Sequence, residues 1–145
     1  MKILLLNGVN MNMLGKRNPT FYGTDTLKSL QKKVFDYAKT KGAKVVFAQS
    51  NCEGKLVDIL QKTKCDAVIF NAGAYSHYSY ALRDCIECIS LPVVEVHLSN
   101  IYARETFRHT DVLKDVCTNC FYGNGIKSYF DAVDFLTDKN SATKK

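Results

Sequence analysis

The chain reads as a doubly wound α/β fold, a parallel sheet with helices on both faces, and three observations carry that reading. Short apolar runs alternate with helix-period segments along the whole chain. The runs are continuously apolar, as in Ala67-Val68-Ile69-Phe70, which a strand covered on both faces requires. At 145 residues, with 46% hydrophobic and 23% charged side chains, the chain suits one globular domain, 1–145, and neither a disordered nor a fibrous class.

The first strand is expected at 2–7, around Ile3-Leu4-Leu5-Leu6. One positive charge and no small-residue cleavage site make a buried strand a better account of this stretch than a signal peptide. Leu27, Leu30, Val34, Tyr37 and Ala38 then recur at helical spacing, and Gly42 closes that helix. A second strand follows at 43–49, then a helix carrying Leu56, Ile59 and Leu60, and a third strand at 66–71. A helical stripe through 77–89, with Ser76 as its N-cap, leads to a fourth strand at 92–98 and a fifth at 116–122. Ile126, Phe130, Val133 and Leu136 mark the last helix, and the polar stretch from Asp138 is expected to fray. Five strands alternating with helices in this way give a flavodoxin-like five-stranded parallel sheet. No apolar run approaches the roughly 18 residues of a membrane span, and the expected setting is the cytoplasm.

Lysine and arginine total 20 against 14 acidic residues, a net charge of +6 that favours anionic partners. Several lysines (Lys28, Lys32, Lys33, Lys39 and Lys41) share one helix, however, and no arginine-rich tract or aromatic-plus-basic pattern marks a nucleic-acid binder. The six cysteines include Cys85-x-x-Cys88 and Cys117-x-x-Cys120, two halves of a possible zinc site. Local periodicity argues against it. Ala81, Leu82, Cys85, Cys88 and Ile89 form an apolar helix stripe, and Cys117 and Cys120 would leave opposite faces of a strand. Reduced thiols and no metal are expected.

Two connections, 8–25 and 100–115, are long and lack periodicity, and both follow strand C-termini. In open α/β sheets ligands bind outside those ends. The residues collected there are amides, hydroxyls and one histidine, with no carboxylate cluster, which suits a small polyhydroxylated ligand.

Within the fourth strand the period of two puts Glu95 and His97 on one face of an apolar run. They fit a structural ion pair, and they also fit a carboxylate orienting an acid–base histidine; the position at the ligand-facing strand end favours the second. Arg17 and Tyr22 share the first long connection. Each alone suits an ordinary loop, but together they permit a base: a tyrosine titrates near 10, so its phenolate needs about 3 to 4 kcal/mol of stabilisation, which one or two arginines in a dry, lidded site supply. Asn71-Ala-Gly-Ala-Tyr-Ser-His77 is a strand-to-helix turn able to hold a carboxylate or hydroxyls, or a plain glycine turn. His109 reads as a surface residue, and Asp84 as solvated unless a subunit interface covers it.

Taken together, Asn7-Gly-Val-Asn-Met-Asn-Met-Leu-Gly-Lys-Arg-Asn-Pro-Thr-Phe-Tyr-Gly23, Asn71-Ala-Gly-Ala-Tyr-Ser-His77, Leu82-Arg-Asp84, Glu95-Val-His-Leu-Ser-Asn100 and Ala103-Arg-Glu-Thr-Phe-Arg108 resemble, in order and spacing, the type II 3-dehydroquinate dehydratases. The match extends to about Leu136. The resemblance implies an enzyme that eliminates water from 3-dehydroquinate through an enolate, with no cofactor and no metal. It implies Tyr22 as base, Arg17 as the residue holding its phenolate, and His97 as general acid oriented by Glu95. Substrate contacts would come from Asn71, His77, Leu98, Ser99 and Arg108, with Asn10 supporting the first turn. Asp84 would reach a neighbouring subunit's site in a homododecamer built of trimers. Three positions depart from the family pattern: Val9 replaces a usual proline, Asp111 stands where a small hydroxyl residue is common, and Ser128 where a third glycine is usual.

Rival readings lack their own signatures. No Gly-x-Gly-x-x-Gly or Walker loop follows the first strand, against a flavin or nucleotide binder. Strands one and three end in Asn7 and Asn71 rather than the acidic residues of a phosphoreceiver.

Overall fold

In the computed structural model, which describes residues 1–138, five parallel strands alternate with helices as the periodicity requires. The strands are β1 (Lys2–Asn7), β2 (Lys44–Gln49), β3 (Ala67–Asn71), β4 (Val93–His97) and β5 (Asn119–Tyr122). The helices are α1 (Pro19–Tyr22), α2 (Leu27–Thr40), α3 (Glu53–Lys62), α4 (Tyr80–Cys88) and α5 (Lys127–Thr137). The sheet runs β2-β1-β3-β4-β5, the flavodoxin-like order, which reverses direction between β1 and β3. The tail expected to fray lies, beyond Asp138, outside the described residues.

Strand periodicity builds the two halves of the core. Ile3 and Leu5 of β1, Ile69 of β3 and Val94 and Val96 of β4 pack against Leu30, Val34 and Ala38 of α2 and Tyr129, Val133 and Leu136 of α5. The intervening residues Leu4, Leu6, Val68, Phe70 and Val93 pack on the other face against Leu56 and Leu60 of α3 and Leu82, Cys85 and Ile86 of α4. The connection after β4 closes this second face with Val112, Leu113 and Val116, so its sequence is fastened to the sheet by burial even though most of it is polar. Only the edges are partly open. On β2, the edge strand, Val46 and Phe47 are exposed, and the Phe47 ring meets Phe35 of α2 at 6.4 Å.

Four local expectations are corrected. The stripe expected as one helix from 77 is divided: Gly73–His77 forms a tight 3₁₀ turn, and α4 starts after Ser79, whose hydroxyl accepts from Leu82 N at 3.0 Å. Ser79, not Ser76, is therefore the N-cap. Ala81 and Cys88 face outward, leaving Leu82, Cys85 and Ile86 as the buried stripe. The fifth strand begins at Asn119 because the N–H groups of Val116 and Cys117 still turn back to the Leu113 carbonyl, which also removes Cys117 from the strand. Finally, the first long connection contains a 3₁₀ turn at Met11–Met13 and the single turn α1, capped by Asn18 Oδ1 on Thr20 N with Pro19 at the first helical position.

Candidate active site

The site begins where β1 and β3 end side by side. The chain leaving β1 at Gly8 passes so close to the chain leaving β3 that a Cβ on Gly8 would lie 2.5 Å from the Ala72 carbonyl oxygen. A Cβ on Gly73, which also has φ +64°, would lie 2.6 Å from the Val9 carbonyl oxygen. Both positions therefore require glycine. Beneath them, Tyr129 of α5 donates its hydroxyl to Asn7 Oδ1 at 2.7 Å and accepts from Asn71 Nδ2 at 2.9 Å. Asn71 Oδ1 in turn accepts from Gly73 N, so this amide fixes the turn that bounds the site.

His97 stands at the end of β4, on the same face as Val93 and Glu95. Its Nε2 lies 2.8 Å from Glu95 Oε1, and the pair is almost wholly buried. The connection that buries Val112 and Leu113 also delivers Asp111, whose Oδ2 lies 3.6 Å from His97 Nε2. Burial opposes the imidazolium, but Asp111 and Glu95 outweigh it and raise the His97 pKa to about 9. Cys120 of β5, paired in register with Glu95, completes the cluster, and burial pushes its thiol up. The expected absence of a carboxylate cluster is thus corrected: Glu95 and Asp111 converge here.

Glu95, His97, Asp111 and Cys120 are the one grouping among the described residues whose donor atoms approach metal-ligand spacing, all within 4.8 Å. Their arrangement is that of hydrogen-bonding partners. The 2.8 Å between His97 Nε2 and Glu95 Oε1 is a direct N–H···O contact, whereas neighbouring ligands of tetrahedral zinc stand roughly 3.3 Å apart.

Across the cavity, α1 presents Tyr22. Arg17 stacks on its ring, with Cζ 3.6 Å from the centroid, while Arg104 Nη1 donates to the Tyr22 hydroxyl at 2.7 Å. The Arg104 guanidinium also lies over the Phe21 ring at 4.2 Å and reaches Ser99 Oγ at 3.4 Å. Arg17 carries a lowered pKa, mainly through burial. The sequence motifs point to Arg17 for the phenolate and assign Arg104 no role. The direct contact to the hydroxyl belongs to Arg104, and the signal for it was its place in the Ala103-to-Arg108 motif.

The cavity between these groups has a volume of about 40 Å³. Arg17, Tyr22, His97 and Arg104 line it, as do Asn71, His77, Leu98, Ser99 and Arg108. His77 donates from Nδ1 to the Thr110 carbonyl at 2.8 Å, and burial lowers its pKa, which favours the neutral ring with Nε2 as an acceptor. Arg108 is held by Glu105 through Nε at 2.7 Å. Two expected residues lie elsewhere. Asn10 is exposed, in a left-handed turn (φ 65°) held by its N–H to Asn51 Oδ1, and Asp84 is exposed on α4.

Residues 1–137 match the family described as dehydroquinase class II. The 3-dehydroquinate dehydratase of Bacillus licheniformis is 47% identical over 141 residues, covering 96% of this chain and 97% of that protein. The catabolic 3-dehydroquinase of Debaryomyces hansenii is 40% identical, covering 95% and 98%. The crystal structure of type II dehydroquinase from Butyrivibrio crossotus superposes with a TM-score of 0.92 at 41% identity, covering 95% of this chain and 98% of that one. The fold, the residues gathered at the strand ends and these matches agree: the chain belongs to the class II dehydroquinase family.

Proposed function

We propose that this chain is a 3-dehydroquinate dehydratase, a hydro-lyase that forms 3-dehydroshikimate by anti elimination of water, a step of the shikimate pathway. One observation carries the reading: Tyr22 and His97 line the same cavity, each held by its own charged partners, Arg104 and Arg17 on one side and Glu95 and Asp111 on the other. Tyr22 Oη, as phenolate, removes the proton alpha to the ketone. The two arginines stabilise its charge and the enolate that follows, as preorganised dipoles and charges do in a dry site. His97, held as an imidazolium, gives its proton to the departing hydroxyl. The substrate carboxylate and hydroxyls meet Asn71, His77, Ser99, the Leu98 backbone and Arg108, all at the cavity wall.

The chemistry asks for no cofactor and no metal. The catalytic unit is the single domain 1–145, working in the cytoplasm as a homododecamer of trimers, in which Asp84, exposed on α4, reaches a neighbouring subunit's site. Among the described residues, no helix is long and apolar enough to cross a membrane.

The test is an absorbance assay with purified protein and 3-dehydroquinate. Growth of the product's conjugated enone, undiminished by EDTA, is the expected result. A folded protein that gives no signal overturns the reading.

A further inference from the structure

The cluster around His97 holds one acid more than the elimination needs. Each of its two carboxyl groups has one oxygen accounted for: Glu95 Oε1 meets His97 Nε2, and Asp111 Oδ1 accepts from the N–H groups of Leu113 and Lys114. The remaining oxygens, Glu95 Oε2 and Asp111 Oδ2, are buried with no hydrogen-bond partner, and the two side chains are 0% and 2% exposed. Were both groups ionised, like charges would share one dry volume with these two oxygens unpaired. The Glu95 and Asp111 side chains also meet each other, so a single proton between them satisfies both oxygens.

We infer that Asp111 is a positioning residue for His97, sharing one proton with Glu95 so that the imidazolium faces a single net negative charge. The local setting fits. Burial pushes the Glu95 carboxyl up, whereas Asp111, although burial works against its ionisation, is held down by His97 and by the backbone N–H of Leu113. Opposite directions are what two acids dividing one proton display. The other titratable groups facing the cluster are the Cys120 thiol from β5, with Lys114 beyond it, and His77 and Arg108 from across the cavity. A hydroxyl side chain at position 111 could donate to Glu95 but could not hold this additional proton.

The functional consequence rests on His97 being the general acid: two full negative charges would hold its proton too tightly for release, and one leaves it transferable. The test is infrared and carboxyl carbon-13 spectroscopy on the full chain without ligand at neutral pH, joined to kinetics. Wild type should show one protonated carboxyl in the cluster. Both Asp111→Asn and Glu95→Gln should lose it, because the acid that remains ionises beside His97. In Asp111→Asn the lone Glu95 carboxylate keeps the same net charge, but His97 loses the second oxygen that positions it, so kcat should fall about tenfold with KM nearly unchanged. Two ionised carboxylates in wild type, a protonated carboxyl that survives in Asp111→Asn, or a divalent cation retained by the cluster through dialysis would each overturn the proposal. A wild type that shows the shared proton but does not turn over 3-dehydroquinate would instead overturn the assigned reaction.

Discussion

Arg104 reaches across 82 positions of sequence to donate from Nη1 to the Tyr22 hydroxyl at 2.7 Å, while Arg17, only five residues from that tyrosine, lies over its ring with Cζ 3.6 Å from the centroid. The two cations therefore act on different parts of one side chain. Arg104 donates to the oxygen itself, whereas Arg17 covers a face of the ring.

Removing the donor to the oxygen should cost more than any change in fold. Arg104→Gln is expected to lower kcat by about 100-fold, the scale of losing one preorganised donor at a developing charge. Circular dichroism and the unfolding midpoint should stay close to wild type. A variant with near-normal kcat would transfer the phenolate-stabilising role back to Arg17.

Tyr22→Phe removes the proposed base without altering the ring against which Arg17 and Arg104 pack. Turnover is expected to drop by about 1,000-fold or more, within the range of a lost general base. Binding of a substrate analogue, measured by calorimetry, should survive. Retained turnover would exclude Tyr22 as the base.

The imidazolium at His97 sets the alkaline behaviour. Its folded pKa is raised from 6.5 to about 9, so the native state keeps a proton that the unfolded chain releases. This contribution to stability is complete below 6.5 and is lost as the pH rises toward about 9. The unfolding-temperature gap between wild type and His97→Gln should accordingly narrow over that window. For kcat/KM, which reports the free enzyme, the alkaline limb should lie near pH 9, with the apparent value belonging to the His97, Glu95 and Asp111 group together. A limb near 6.5 would mean that the carboxylates do not hold the imidazolium.

Tyr129 ties the ends of β1 and β3 together through Asn7 and Asn71, and it is fully buried. Tyr129→Phe keeps the packed ring but strands both amides, so a loss of about 1–3 kcal/mol in unfolding free energy is expected. Denaturant titration measures it directly. Because Asn71 also fixes the turn at Gly73, KM should rise as well; an unchanged KM would detach this network from the site.

Much of this protein is determined by its sequence alone because the signals are local. The alternation of strands and helices follows from periodicity, and the pairing of Glu95 with His97 follows from a strand's two-residue repeat, which no distant residue can alter. The motif containing Arg17 and Tyr22 lies within one connection, five residues apart, so its chemistry could be read before its shape. What the tertiary structure decided depends on segments far apart in the chain. Arg104 meets Tyr22, and Asp111 meets His97, because burial of Ile101, Val112 and Leu113 fastens a polar connection beside the sheet. Tyr129 becomes the link between two strand ends because α5 packs over them. The choice of Ser79 over Ser76 as helix cap likewise waits on the turn at Gly73, which is tightened by the close approach of Val9. Such outcomes are set by packing between distant segments, whose partners no local pattern names.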